Sequence, residues 1–137
     1  MSNTDTGERP LRVLIVEDSP AMRSIIAEYC AELGFEVYEA EGGREALRRL
    51  EEMPSVDVVL VDWHMPGMDG RQFIGAVRAT PRFAAIPMMM VTTEIEPARI
   101  ATALEAGANE YLMKPFDVHA LLEKLLIMGV EPRRKAA

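Results

Sequence analysis

Glu17, Asp18, Asp62 and Lys114 each stand at or just past the end of a short apolar run, and Thr92 ends another. If those runs are parallel strands, the five side chains meet at one edge of a sheet, where open α/β sheets bind their ligands. Three carboxylates held that close repel, so a proton or a divalent cation must compensate them. Oxygen donors without thiolate or imidazole favour a hard ion, Mg2+ or Mn2+. One carboxylate can then attack phosphorus and carry an acyl phosphate. Lys114 offers a point charge and Thr92 a hydroxyl to the remaining phosphoryl oxygens.

The elements that must position these residues follow from apolar spacing. Residues 12–16 form a β-branched run, then Pro20 opens a helix in which, from Met22, the apolar residues Ile25, Ile26, Tyr29 and Leu33 are expected to make one buried stripe, stopped by Gly34. A brief strand covers Phe35 to Glu39. Gly42 and Gly43 open a second helix through Ala46, Leu47, Leu50 and Met53, and Val56 to Val61 reads as a central strand covered on both faces. Phe73, Ile74 and Val77 mark a third helix and Ile86 to Val91 a fourth strand. Alternation sends Met88, Met89 and Met90 to opposite faces, so they are core and not a soft-metal cluster. Pro97 begins a fourth helix with Ile100, Ala103 and Leu104 inward and Gly107 as its cap. Asn109 to Met113 is a fifth strand, and Val118, Leu121, Leu122, Leu125 and Met128 make a closing helix. Strands alternating with helices through short loops predict a doubly wound α/β fold, a parallel sheet with helices on both faces.

The 137 residues suffice for one core. Acids outnumber bases and the net charge is -7, which argues against nucleic acid as a direct partner, because that contact needs clustered Lys and Arg. Cys30 alone excludes an internal disulfide and fits the apolar face of a helix. Neither an apolar leader nor a membrane-length apolar run occurs, so a cytoplasmic location is expected. The first ten residues read as a disordered segment, 11–128 as the folded domain, and 129–137 as a basic tail.

Four motifs, VLIVEDS, VDWHMPGMDG, MVTTE and NEYLMKPF, occur in that order at the ends of separate predicted strands. Together they resemble the receiver domain of two-component response regulators, over about residues 11 to 128. The resemblance implies a flavodoxin-like (βα)5 sheet with strand order 2-1-3-4-5. It implies that Asp62 accepts a phosphoryl group from a sensor histidine kinase, and that Glu17, Asp18, Asp62 and the backbone carbonyl of His64 hold Mg2+. Thr92 and Lys114 would bind the phosphoryl oxygens, Thr92 and Tyr111 would form the switch, and the Lys114–Pro115 bond would be cis. His64 and Glu94 fall where side chains flank the attacking water and tune the phosphate's lifetime. An imidazole ligand at His64 is the sharper alternative for the metal. Glu17 stands where many members have Asp, a departure that bears on metal affinity.

With no second domain after the last helix, the output is expected to be a change in what the receiver surface binds, at about residues 95 to 128 in such proteins. Trp63 after the acceptor and the run AGANEYLMKPF resemble chemotaxis regulators of the CheY type. That likeness implies a CheA-like kinase upstream and the flagellar motor switch downstream, acting as a monomer or a weak phosphorylation-dependent dimer. Competing readings are a receiver outside chemotaxis, such as a phosphorelay intermediate, and an effector binding a cyclic dinucleotide through Arg133 and Arg134. An aspartyl-phosphate phosphatase would want a second acid two residues beyond the nucleophile, where this chain has His64.

Overall fold

A computed structural model describes residues 9–93 and 95–132. Glu94, Arg133 and Arg134 lie outside the described residues. Five strands, β1 (Arg12–Val16), β2 (Glu36–Ala40), β3 (Val58–Val61), β4 (Met88–Thr92) and β5 (Glu110–Met113), form one sheet in the order β2-β1-β3-β4-β5. Every pairing is parallel. Between them run α1 (Pro20–Glu32), α2 (Gly43–Glu52), α3 (Gly70–Arg78) and α4 (Pro97–Ala106), and α5 (Val118–Ile127) follows β5. Parallel strands demand such crossovers, and the expected doubly wound sheet is what forms.

The strands are narrower than the apolar runs that announce them. Phe35, Val56, Ile86 and Asn109 precede the strands instead of joining them, because pairing starts only where two neighbours run side by side. The two faces bury separate cores. Leu14, Val16, Val59, Val61, Met88 and Met90 meet α2, α3 and α4, while Val13, Ile15, Val58, Leu60 and Met89 meet α1 and α5. The methionines divide as the alternation rule requires. Cys30 is buried on α1, and burial pushes its thiol up to about 12, so it behaves as a core residue.

Two helices bury narrower stripes than their spacing suggested. On α1 the buried line is Ile26 and Cys30, continued by Leu33 at the C-cap, and Ile25, one step around the helix, is 43% exposed. On α4 the fully buried contact is Ala103, whose small side chain lets the helix rest on the sheet edge, and Leu104 is left 40% exposed. Gly34 adopts φ 95 and Gly107 φ 125 at the ends of these helices, the left-handed region that closes a helix cheaply only with glycine. A short 3-10 turn at Pro81–Phe83, which apolar spacing did not reveal, carries the chain from α3 to β4. At the far end Gly129 N–H and Val130 N–H donate to Leu126 and Leu125, and Val130 is buried, so packing continues past 128. No helix among the described residues is long and apolar enough to cross a membrane.

Candidate functional site

β1 lies between β2 and β3, so the chain turns one way after β1 and the other way after β2, and a crevice opens beyond the carboxyl ends of β1 and β3. Glu17 and Asp18 follow β1, Asp62 follows β3, Thr92 ends β4 and Lys114 follows β5. The backbone of each strand end is tied to its neighbours. Glu17 N–H donates to Ala40 O at 3.0 Å, Asp62 N–H to Val16 O at 2.9 Å, and Lys114 N–H to Thr92 O at 2.9 Å. The side chains therefore leave a rigid rim.

Glu17, Asp18 and Asp62 each present a carboxylate oxygen, and these atoms all lie within 4.8 Å of one another. Glu17 and Asp62 are buried and Asp18 is exposed, so the cluster opens to solvent on one side. Lys114 Nζ stands 2.7 Å from Glu17 Oε1 and 3.6 Å from Asp62 Oδ2. One ammonium against three carboxylates leaves a net negative cluster. Burial, and then the neighbouring charge of Glu17, push the Asp62 carboxyl up to about 6, against the opposing pull of Lys114 and a hydrogen bond from the His64 backbone. An oxygen-only, under-compensated carboxylate set suits a hard divalent cation. The His64 imidazole is not part of this group of potential ligand atoms, which disfavours its role as a nitrogen ligand. It lines a shallow cavity beside Asp18, together with Met65, Pro66 and Asp69.

Thr92 is buried and Tyr111 half-buried, on adjacent strands. Thr92 lies two residues beyond Met90, whose register partner is Tyr111, so the two side chains share one face of the sheet. Lys124 Nζ sits 4.8 Å from the Tyr111 ring centroid. The Lys114–Pro115 peptide is cis.

Three supporting residues escaped the sequence reading. Ser19 caps α1, its hydroxyl accepting from Met22 N–H at 3.3 Å, and its own N–H donates to Glu17 Oε2 at 3.1 Å. Arg23 Nη1 donates to Glu17 O at 2.7 Å and so pins the acidic turn from outside. Gly70, at the start of α3 behind an Asp69–Gln72 capping box, packs its α-carbon against the backbone of Asp62 and Trp63, where any Cβ would collide with Asp62 O. The Asp-Gly pair at 69 and 70 was a visible sign of a helix start, but its closeness to the end of β3 was not.

Comparison with known proteins gives the same picture. The model for the response regulator receiver domain matches residues 13–126. The chemotaxis protein CheY1 of Helicobacter pylori strain J99 is 44% identical over 119 residues, covering 86% of this chain and 96% of that relative. A CheY homolog of Campylobacter jejuni is 43% identical over 116 residues, covering 84% of this chain and 89% of the relative. Among solved structures, the Vibrio cholerae chemotaxis protein CheY4 superimposes with a TM-score of 0.81 at 35% identity, covering 86% of this chain and 98% of that one. The receiver domain of a sensor histidine kinase from Pseudomonas aeruginosa PAO1, with a magnesium ion coordinated in its active site cleft, gives a TM-score of 0.78 at 28% identity, covering 90% and 98%. A sheet wound in this order, with an acidic crevice at its switch point and a family match spanning nearly all its strands and helices, makes the chain a member of the response regulator receiver domain family.

Proposed function

We propose that Asp62 is the phospho-acceptor of a two-component relay in a chemotaxis or motility circuit, and that phosphorylation changes what the α4–β5–α5 surface binds. The reading rests above all on the convergence of Glu17, Asp18 and Asp62 within 4.8 Å, with Lys114 reaching in from β5. Chemotaxis follows from the likeness to the CheY proteins, and a cytoplasmic setting with it.

An Asp62 oxygen attacks the phosphorus of a phosphohistidine on the kinase. A P–O bond forms as the P–N bond breaks, and the departing imidazole takes up a proton from water. Glu17, Asp18, Asp62 and the backbone carbonyl of His64 are the groups that would hold magnesium, which would neutralise carboxylate charge and lower the charge met by an incoming phosphoryl group. Lys114 supplies a cation to the phosphoryl group, and the Thr92 hydroxyl a hydrogen bond from the end of β4. Movement of Thr92 toward the new phosphate frees space on the face it shares with Tyr111, so the aromatic ring can turn and alter the outer surface. Small phosphodonors serve the same attack, and water attacking the acyl phosphate breaks the Asp62 O–P bond, returning the free carboxylate and releasing inorganic phosphate. His64, two residues past Asp62, is proposed to tune the rate of that step, and Glu94, two residues past Thr92 in the sequence, is assigned the same part on the family resemblance alone.

Trp63 is buried beside Asp62 and reports on the site. Its fluorescence is expected to change on addition of magnesium chloride, and again on addition of acetyl phosphate with magnesium present. A flat response to both contradicts the assignment.

A further inference from the structure

Lys114 does not divide itself equally between the two buried carboxylates. Its ammonium is in hydrogen-bond contact with Glu17 at 2.7 Å, but stands 3.6 Å from Asp62, beyond a normal hydrogen bond. The other Glu17 oxygen accepts from Ser19 N–H at 3.1 Å, so both oxygens of this carboxylate are engaged. The main chain cannot adjust to change that. Glu17 N–H is bonded to Ala40 O and Glu17 O to Arg23, while Lys114 N–H is bonded to Thr92 O. With the strand ends tied, the difference between the two contacts lies in the side chains, and Glu17 carries one methylene more than Asp62.

The Glu17 side chain is 2% exposed and that of Lys114 10%. Simply separating a pair so buried strands two charges away from water, which is strongly unfavourable. Exchange of partners avoids that penalty. We propose that Glu17 is a positioning residue that holds Lys114 back from Asp62, and releases it when a divalent cation takes over the Glu17 carboxylate. Lys114 then turns to Asp62 and its incoming phosphoryl group, so cation binding and lysine delivery become one event. This rests on the proposed reading of the site as magnesium-dependent, and it assigns Glu17 a second duty within it.

The chain has three lysines, Lys114, Lys124 and Lys135, so NMR of lysine labelled at Cε and Nζ resolves and assigns Lys114 with single variants. Magnesium chloride, without any phosphodonor, is expected to shift the Lys114 resonance with the same midpoint as the Trp63 fluorescence change. Glu17→Asp keeps the charge but withdraws it by one methylene, and is expected to shift that resonance before any magnesium is added. A Lys114 signal that stays fixed while Trp63 responds to magnesium overturns the exchange, and so does a Glu17→Asp spectrum matching the wild type. Failure of Trp63 itself to respond instead overturns the underlying magnesium site. Because the first result is read on the wild-type chain, a folding defect in the variant does not rescue the proposal.

Discussion

The two ends of the sheet handle a partly buried cation in opposite ways. At the carboxyl end Lys114 faces carboxylates that outnumber it. At the amino end Arg78, the last residue of α3, spreads its guanidinium over neutral oxygens. Nε and Nη2 donate to Gly107 O at 3.0 and 2.8 Å, Nη1 to Ala84 O and Ile86 O at 2.9 and 2.7 Å, and Nη2 to Asn109 Oδ1 at 2.9 Å. Asn109 Oδ1 also accepts from Met88 N–H at 2.8 Å, so one arginine ties α3, the start of β4 and the α4–β5 turn together. Burial lowers the Arg78 pKa from its ordinary value, yet every N–H direction has an acceptor. The contrast separates a device for holding the fold from a device for responding. Where polar groups satisfy one another, little is left for a ligand to change; where charge is left over, as among Glu17, Asp18 and Asp62, the proposed cation and phosphoryl group would find charge to compensate.

Removing the clamp should have the largest effect on stability. Arg78→Met leaves several carbonyls short of a donor and is expected to destabilise the fold by about 2–4 kcal/mol. The magnesium midpoint of Trp63 should move less than about twofold, since the acidic cluster lies at the opposite end of the sheet. Urea unfolding checks the first value and fluorescence titration the second. A large loss of magnesium response without loss of stability would break the separation of roles.

At the other end the sign reverses. Asp62 is held near 6 in the fold against 3.8 as an isolated side chain. Between those values the native state binds more protons than the unfolded chain, so stability falls as pH rises through that window and stays reduced above it. Asp62→Asn should therefore stabilise the metal-free protein at pH 7 by about 1–2 kcal/mol, after discounting for solvent screening. The gain should shrink toward pH 4, where the wild-type carboxyl is already neutral. Urea unfolding of both proteins at several pH values measures it, and an Asp62→Asn protein less stable at pH 7 would show that the site is not under electrostatic strain.

The smallest effect should come from Arg82, also at the amino end but on the surface, where it pairs with Glu51 and lies over Phe83. Arg82→Ala should alter stability by about 0.5 kcal/mol or less, because exposed pairs are screened by water and salt. A loss matching that of Arg78→Met would mean that arginine at this end matters for reasons other than burial.

The same contrast explains what could be read in the chain. Glu17, Asp18, Asp62, Thr92 and Lys114 were legible because each ends an apolar run, and parallel strands deliver such ends to one edge. The sheet order came from resemblance, since apolar spacing does not say which strands are neighbours. Arg78 was invisible: an arginine in the last turn of a helix reads as a solvated cap until the loops at 84–86 and 107–109 are seen to close over it. Gly70 was hidden for a related reason, as its lack of a side chain matters only once α3 lies against Asp62. Ile25 and Leu104 were misplaced because three-and-four spacing predicts a stripe but not its width, which the partner surface decides. Local chemistry was readable, and long-range closure was not.

The central claim is that Asp62 takes up a phosphoryl group in a magnesium-loaded site. Intact-mass spectrometry after incubation with a small phosphodonor tests it directly, run with magnesium, with a chelator, and on Asp62→Asn. A single added phosphoryl group is expected on the wild-type chain with magnesium, and none in the other two samples. Equal labelling of Asp62→Asn, or labelling of the wild type that is indifferent to the chelator, would contradict it.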